Sequence, residues 1–560
     1  MCGPELMDFQ RTLLIGAIAV VGVLTLQQWN QDYPGTNRSS PAVTSVSTSN
    51  TGSDLPTLGT NSSAPQIDTG SAKPSGQLIN VSTDALNLQI DPAGGDIISL
   101  NLPKYPAWLP EEGEESVPFQ LMVQYPDCQA DATCVFTAQS ALVGADGPDA
   151  NNQRALYKSS QTTYTLADGQ NKLVVDLTRS DKGVDITKRY TLSRDSYQVK
   201  VDYLITNNSQ KEWRDQFYAQ LKRDNSEDPS QKNSKAPMHT FLGGAYHAKD
   251  EPYSKVDFSD FSKKPVDQNV EGGYAAILQH YFVSAWVPDQ NSSHQYYTNR
   301  SKDGYNFIGF YDNAIVAKPG ETVTTGATLY AGPKKQDVLE DLADGLELTV
   351  DYGMLWFIAQ PLFALLKFIH NIVGNWGWSI ILLTVFVKAI FYPLNATSFR
   401  SMAKMRKLGP KMKAMKEQFG DDRQKMSQAM MELYKKEKVN PMGGCLPILV
   451  QMPVFIALYW TLLESVELRQ APWLGWIQNL SQMDPYFILP LIMGASMFVQ
   501  QMLNPTPPDP TQAKVMKLMP VIFTFFFLFF PAGLVLYWVT NNTLSIIQQY
   551  FITKKIEAEG

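Results

Sequence analysis

The 560-residue chain reads as a multi-pass α-helical membrane protein of six spans with a large all-β domain outside the membrane. Three observations predict this. Strand-period sequence fills residues 78–340, and apolar segments of helical length follow from residue 352. Charge is also divided by sign: residues 30–351 hold 27 Lys+Arg against 41 Asp+Glu, whereas residues 394–441 hold 12 against 5. An acidic and a basic block separated by apolar segments marks two different aqueous faces.

The first element is "RTLLIGAIAVVGVLTLQQW" (11–29). No small-residue cleavage site follows its apolar core, so residues 1–29 read as an uncleaved signal anchor. Residues 30–77 are rich in Ser, Thr, Gly, Pro and Asn, and too poor in large apolar groups to offset chain entropy, which makes them a flexible tether.

Residues 78–340 then alternate. "YQVKVDYLI" puts Tyr197, Val199, Val201, Tyr203 and Ile205 on one face of a strand, with Gln198, Lys200 and Asp202 on the other. Repeated segments of this kind with turn residues between them predict an antiparallel β-sandwich. Cys128 and Cys134 are spaced for a short-loop disulfide in an oxidising compartment, and two free thiols fit equally.

Five candidate spans follow: 377–393, 442–463, 486–503, 516–531 and 533–551. Residues 352–373 are also long enough, but Gln360, Lys367 and Asn371 are read on the side away from Trp356, Phe363 and Leu366, as in an interfacial helix. Parity agrees. Counting 352–373 as a span would put the twelve Lys and Arg of 394–441 outside, against the positive-inside rule. The expected topology is N-in and C-in, with loop 504–515 and tail 552–560 inside.

The basic loop 394–441 predicts a helical hairpin. Met402, Met405, Leu408, Met412, Met415 and Phe419 form an apolar seam, Gly420 ends the first helix, and Met426, Met430 and Leu433 continue the seam on the second. The basic residues, among them Arg400, Lys404, Arg406, Lys407, Lys411, Lys413 and Lys416, fall on the outer face. Such a hairpin is either a solvated topogenic loop or a docking site for an anionic or apolar partner from inside.

Motifs for a soluble enzyme are missing. His239, His247, His280, His294 and His370 are scattered, and the chain contains no HExxH, P-loop, nucleophile elbow or dinucleotide fingerprint. No metal or cofactor is expected, and nothing suggests readout of a nucleic-acid sequence.

The unusual stretch is "WSIILLTVFVKAIFYPL" (378–394), which carries Lys388 one turn after Thr384. A charge at mid-bilayer costs roughly 2.5–3.5 kcal/mol on insertion scales. Alone, Lys388 reads as a lysine snorkelling to the inner interface. Its neighbours change that reading. The last span carries Thr540, Asn541, Asn542, Thr543, Ser545, Gln548 and Gln549, and other spans add Gln451, Ser496 and Gln500. Polar groups in hydrocarbon must pair or face water. A hydrated vestibule with Lys388 as its fixed charge, lined by Asn541 and Ser545, accounts for them. With no acidic partner in any span, the anion that meets Lys388 would be transient, such as an acidic tail passing through.

These residues resemble a known family. "NPMGGCLPILVQMPVFIALYW" (440–460), "VELRQAPW" (466–473), "FPAGLVLYWVTNN" (530–542) and the hairpin sequence are similar to the bacterial YidC membrane-protein insertases, from about residue 352 to the C-terminus. The resemblance implies a five-span insertase core, with a periplasmic β-supersandwich of sugar-binding ancestry in the Gram-negative form. It implies insertion of nascent membrane proteins from the bacterial inner membrane, alone or beside the Sec translocon, without ATP or cofactor. Membrane lipid is a further partner, and the cytoplasmic loops would meet the ribosome and the signal-recognition targeting receptor. Lys388 stands where the family usually has Arg, so the charge is kept and the bidentate fork is lost. By the same resemblance Thr384, Phe455, Met493, Phe526, Tyr537 and Trp538 line the groove or touch substrate, with Trp538 replacing a more usual Tyr. The tail "TKKIEAEG" is not strongly basic, which argues against tail-mediated ribosome binding.

Two other classes compete. A small-solute transporter or channel predicts internal repeats or paired intramembrane charges, and neither is found. A periplasmic carbohydrate enzyme on an anchor leaves the polar-lined spans unexplained.

Overall fold

The computed structural model describes residues 77–558 apart from 111–112, 125–134, 145, 150–153, 231–239, 420–422, 438–445 and 505–509. The expected anchor (1–29) and nearly all of the tether (30–77) lie outside the described residues, as do Cys128, Cys134 and Cys445. So do the side chains of Lys413 and Lys416. The chain divides into two compact units, a β unit ending at Asp351 and a helical unit beginning at Tyr352.

Among the described residues the β unit holds an eleven-stranded and a nine-stranded sheet, almost wholly antiparallel. Strand Gln198–Asn207 lies within the second, with Val201 opposite Ala327 on one side and Tyr190 on the other. Val199, Val201, Tyr203 and Ile205 are fully buried while Lys200 is exposed, as the alternation predicts.

Hydrogen bonds join the two sheets through their core. Ser140 on one pairs with the Tyr203 hydroxyl on the other at 3.2 Å, and Trp286 Nε1 donates to Gln220 O at 3.0 Å. Lys188 is buried, and its ammonium donates to the carbonyls of Gly94 (2.9 Å), Gly95 (2.9 Å) and Ser140 (3.1 Å). Both glycines have positive φ, the left-handed conformation that turns these carbonyls inward at little steric cost. Beside them Arg154 pairs with Asp96 and lies 3.4 Å from Asp149. These buried charges have partners, as a low-dielectric core requires.

The helical unit comprises, among the described residues, α1 (Trp356–Val373), α2 (Trp376–Ile390), α3 (Tyr392–Lys407), α4 (Gly409–Phe419), α5 (Arg423–Lys436), α6 (Leu446–Glu464), α7 (Ile488–Leu503), α8 (Pro510–Phe527) and α9 (Ala532–Ala558). Helix α1 buries Ala359, Phe363 and Leu366 against α2 and α6. Trp356 is 53% exposed and does not share that stripe, so the surface of α1 is not divided as the sequence suggested. Gly353–Val373 is long and apolar enough, at 21 residues, to cross a membrane.

The segment expected as one span at 377–393 ends early. Helices α2 and α3 meet at a 69° bend. Pro393, near the start of α3, has no N–H to continue the ladder of α2. The bend leaves Lys388 in the last turn of α2, where the negative end of the helix dipole favours a cation.

The basic loop forms three helices, α3 to α5, instead of two. Gly409-Pro410 breaks the first arm after Lys407 because proline removes a donor and glycine weakens the helix. Helix α8 starts at Pro510, inside the segment expected as loop 504–515, and stops at Phe527. Helix α9 runs 27 residues, through most of the expected tail.

Candidate functional site

Lys388 is 8% exposed, and its ammonium lies inside the bundle. Nζ donates to Ser545 Oγ of α9 at 2.7 Å, and Ser545 donates in turn to Asn541 O at 2.8 Å. Among the described residues Lys388 forms no salt bridge. Its partner is neutral, so the charge stays available to an anion.

The other expected residues separate into groups. Thr384 is buried beside Lys388, but its hydroxyl donates to Ile380 O at 2.6 Å, within its own helix. Met493 is fully buried on α7. Asn542, next to the expected Asn541, reaches Ser496 Oγ at 3.1 Å and ties α9 to α7. Gln549 continues this polar line with a bond to Asn504 at 2.9 Å.

Phe455, Tyr537 and Trp538 form an aromatic cluster. The Phe455 ring centroid lies 4.6 Å from Trp538 and 6.3 Å from Tyr537. The α8 member of this cluster is Phe527, 5.4 Å from Trp538 and buried. The expected Phe526 is half exposed and contacts Phe530 at 4.8 Å. One residue along a helix turns a side chain by about 100°. In the run "TFFFLFF" (524–530) no sequence periodicity could choose between them.

On the hairpin, Arg400, Lys404, Arg406, Lys407 and Lys411 are all exposed, while the described seam residues Met402, Met405, Leu408, Met412, Met415 and Phe419 are partly or fully buried. Lys407 donates to Ile556 O at 2.8 Å, capping the end of α9, and Lys411 pairs with Glu437 at 2.6 Å.

The loop between α6 and α7 ties neighbouring helix ends together. Asp484 is fully buried, and its carboxylate accepts from the Tyr486 amide at 3.0 Å, the Leu489 amide at 2.7 Å and Trp476 Nε1 at 3.0 Å. It therefore caps α7. Backbone bonds from Ala532 to Gln482 and from Gly533 to Leu480 fix the start of α9 to the same loop. Among the described residues no group of three or more His, Cys, Asp or Glu is placed to hold a metal ion.

The arrangement is thus a buried lysine among neutral polar groups, with a basic helical surface alongside. Residues 368–559 match the family described as 60Kd inner membrane protein, and residues 78–365 match the YidC periplasmic domain. The membrane protein insertase YidC of Stutzerimonas stutzeri is 55% identical over 564 residues, covering 99% of each chain. That of Pseudomonas entomophila is 53% identical over 564 residues, again covering 99% of each.

The chain belongs to the YidC family of membrane protein insertases.

Membership in the YidC family makes it an inner-membrane protein with a β-rich periplasmic domain, and the transporter alternative falls away. A solved YidC insertase with its first transmembrane domain resolved covers 85% of this chain and 93% of its own, at 18% identity and a TM-score of 0.37. That likeness is too distant to bear on the geometry here. Two polar residues of the YidC core, Asn395 and Ser398, escaped the sequence reading. Both are buried on α3, in a segment whose basic residues marked it as an aqueous hairpin.

Proposed function

We propose that this chain inserts membrane proteins by receiving the polar, acidic tail of a nascent chain at Lys388, while the attached apolar segment partitions sideways into lipid. The observation that carries this is the buried ammonium whose hydrogen-bond partner is a hydroxyl and not a carboxylate. An acidic group arriving there gains a charge-assisted hydrogen bond, about 1.5–3 kcal/mol net. The polar line from Ser545 to Gln549 supports a hydrated groove open to the cytoplasm and lipid, which lowers the cost of moving a polar tail inward. The groove reading takes Thr384, Phe455, Met493, Phe526, Tyr537, Trp538, Asn541 and Ser545 as lining or substrate-contacting residues, with Phe527 packed beside Trp538.

In this reading six spans run N-in and C-in, α1 lies along the interface, and residues 30–351 face the periplasm. The charge division supports that topology, since a spanning α1 would carry the basic loop outward. The exposed basic surface of α3 and α4 suits docking of the ribosome and targeting receptor, with the Sec translocon as a membrane partner.

The test is reconstitution of the pure chain in lipid vesicles, scoring a single-span protein with an acidic translocated tail. Wild type and Lys388→Arg are expected to insert it, and Lys388→Leu to fall by about tenfold or more. Equal insertion by all three would remove Lys388 from the mechanism.

A further inference from the structure

Two buried polar groups beside the bend have no partner among the described residues. Asn395 and Ser398, on α3, are 1% and 3% exposed and share a helix face at i,i+3 spacing. Asn395 Oδ1 accepts from Gln451 Nε2 of α6 at 3.3 Å. Asn395 Nδ2 and Ser398 Oγ have no hydrogen-bond partner among the described residues. Ser398 contrasts with other helical hydroxyls of the unit. Thr384, Thr397, Thr524 and Thr540 each donate to the carbonyl four residues back, the usual outlet for a helical hydroxyl. Buried groups of this kind are costly to leave unmet, so a pair of them on one face points to a ligand that meets both.

The chemistry of the pair narrows that ligand. Asn395 offers an N–H donor, and Ser398 offers a hydroxyl that donates or accepts. Together they complement the C=O and N–H of one peptide unit. Among the described residues no charged side chain takes part in the hydrogen bonds of Asn395, so the pair carries no charge with which to tell an acidic tail from a neutral one. Lys388 lies seven residues earlier, across the bend between α2 and α3. We propose that Asn395 and Ser398 form a neutral subsite that hydrogen-bonds a backbone peptide unit of the arriving chain as it passes this bend. The subsite deepens the insertase reading and rests on it for the identity of the ligand.

Full-length protein in lipid vesicles tests this with two single-span substrates, one with an acidic tail and one with a neutral tail. Ser398→Ala is expected to slow insertion of both substrates by the same factor, about fivefold for one lost hydrogen bond, and Asn395→Leu, which also strips Gln451 of its acceptor, by at least as much. Ser398→Ala should melt no lower than wild type, because it deletes an unmet group instead of a bonded one. Lys388→Leu should slow the acidic-tailed substrate alone. The subsite is overturned if Ser398→Ala inserts both substrates at the wild-type rate, or if its melting temperature falls together with insertion. A Lys388→Leu variant that still inserts the acidic tail overturns the groove charge instead, and leaves the Ser398 comparison standing.

Discussion

Asp215 makes the stability of the β unit depend on pH in a direction that can be worked out in advance. Asp215 is 2% exposed; one carboxyl oxygen accepts from the Gln216 amide at 2.9 Å, and the other has no partner among the described residues. Burial pushes it up to about 8, with Asp149 and Asp146 nearby adding to the effect. The unfolded chain ionises near the usual 3.8, so between that value and about 8 the folded state holds a proton the unfolded state has lost. Stability therefore falls as pH rises through this window. Each pH unit costs about 1.4 kcal/mol, so this group alone should make the folded state about 2.5 kcal/mol less stable at pH 7 than at pH 5. At a urea slope of about 2–3 kcal/mol/M this is a midpoint shift of about 1 M.

Asp215→Asn keeps an acceptor for Gln216 and removes the proton, so its midpoint should lose most of that dependence. His294 contributes a slope of the same sign. Burial opposes its charge, but the Asp312 carboxylate and the Asp289 carbonyl raise it, and that stabilisation is lost as pH rises through its folded value. The informative quantity is therefore the difference between wild type and variant. It is read by urea unfolding of the full-length protein in detergent, followed through the β-sheet circular dichroism. Equal pH slopes in the two proteins would refute the assignment of a buried, protonated Asp215.

Two further outcomes follow from the helical unit. A Cβ at Gly377 would stand 2.1 Å from Trp473 Cδ1, so Gly377→Ala should cost about 1–3 kcal/mol through overpacking, seen as a lower melting temperature; an unchanged melt would show that the α6–α7 loop yields freely. Asp484→Ala strips two amides and an indole N–H of their acceptor, which should cost about 3 kcal/mol or more and red-shift Trp476 emission; unchanged emission would mean that the indole had no need of the carboxylate.

The sequence alone made the β-rich outer domain and the helical membrane part legible. Period-two alternation in "YQVKVDYLI" reports which side chains are buried because a pleated strand has no other way to hide Val199, Val201 and Tyr203. Charge blocks and apolar lengths likewise report the membrane, since hydrocarbon excludes both ions and unpaired backbone. Lys388 was legible as an anomaly because a lone cation in an apolar run is expensive wherever it ends up.

Tertiary structure decided what each polar or aromatic group touches. Only packing brings Ser545 to Lys388 across 157 residues of chain, and only packing turns Phe527 inward while Phe526 faces out. The bend at Phe391 divided a segment whose hydropathy is continuous, because hydropathy is blind to the donor that Pro393 lacks. Asn395 and Ser398 look like ordinary residues of a basic loop until α3 buries them. A side chain's polarity is written in the chain, but whether it finds a hydrogen-bond partner depends on neighbours that folding alone supplies.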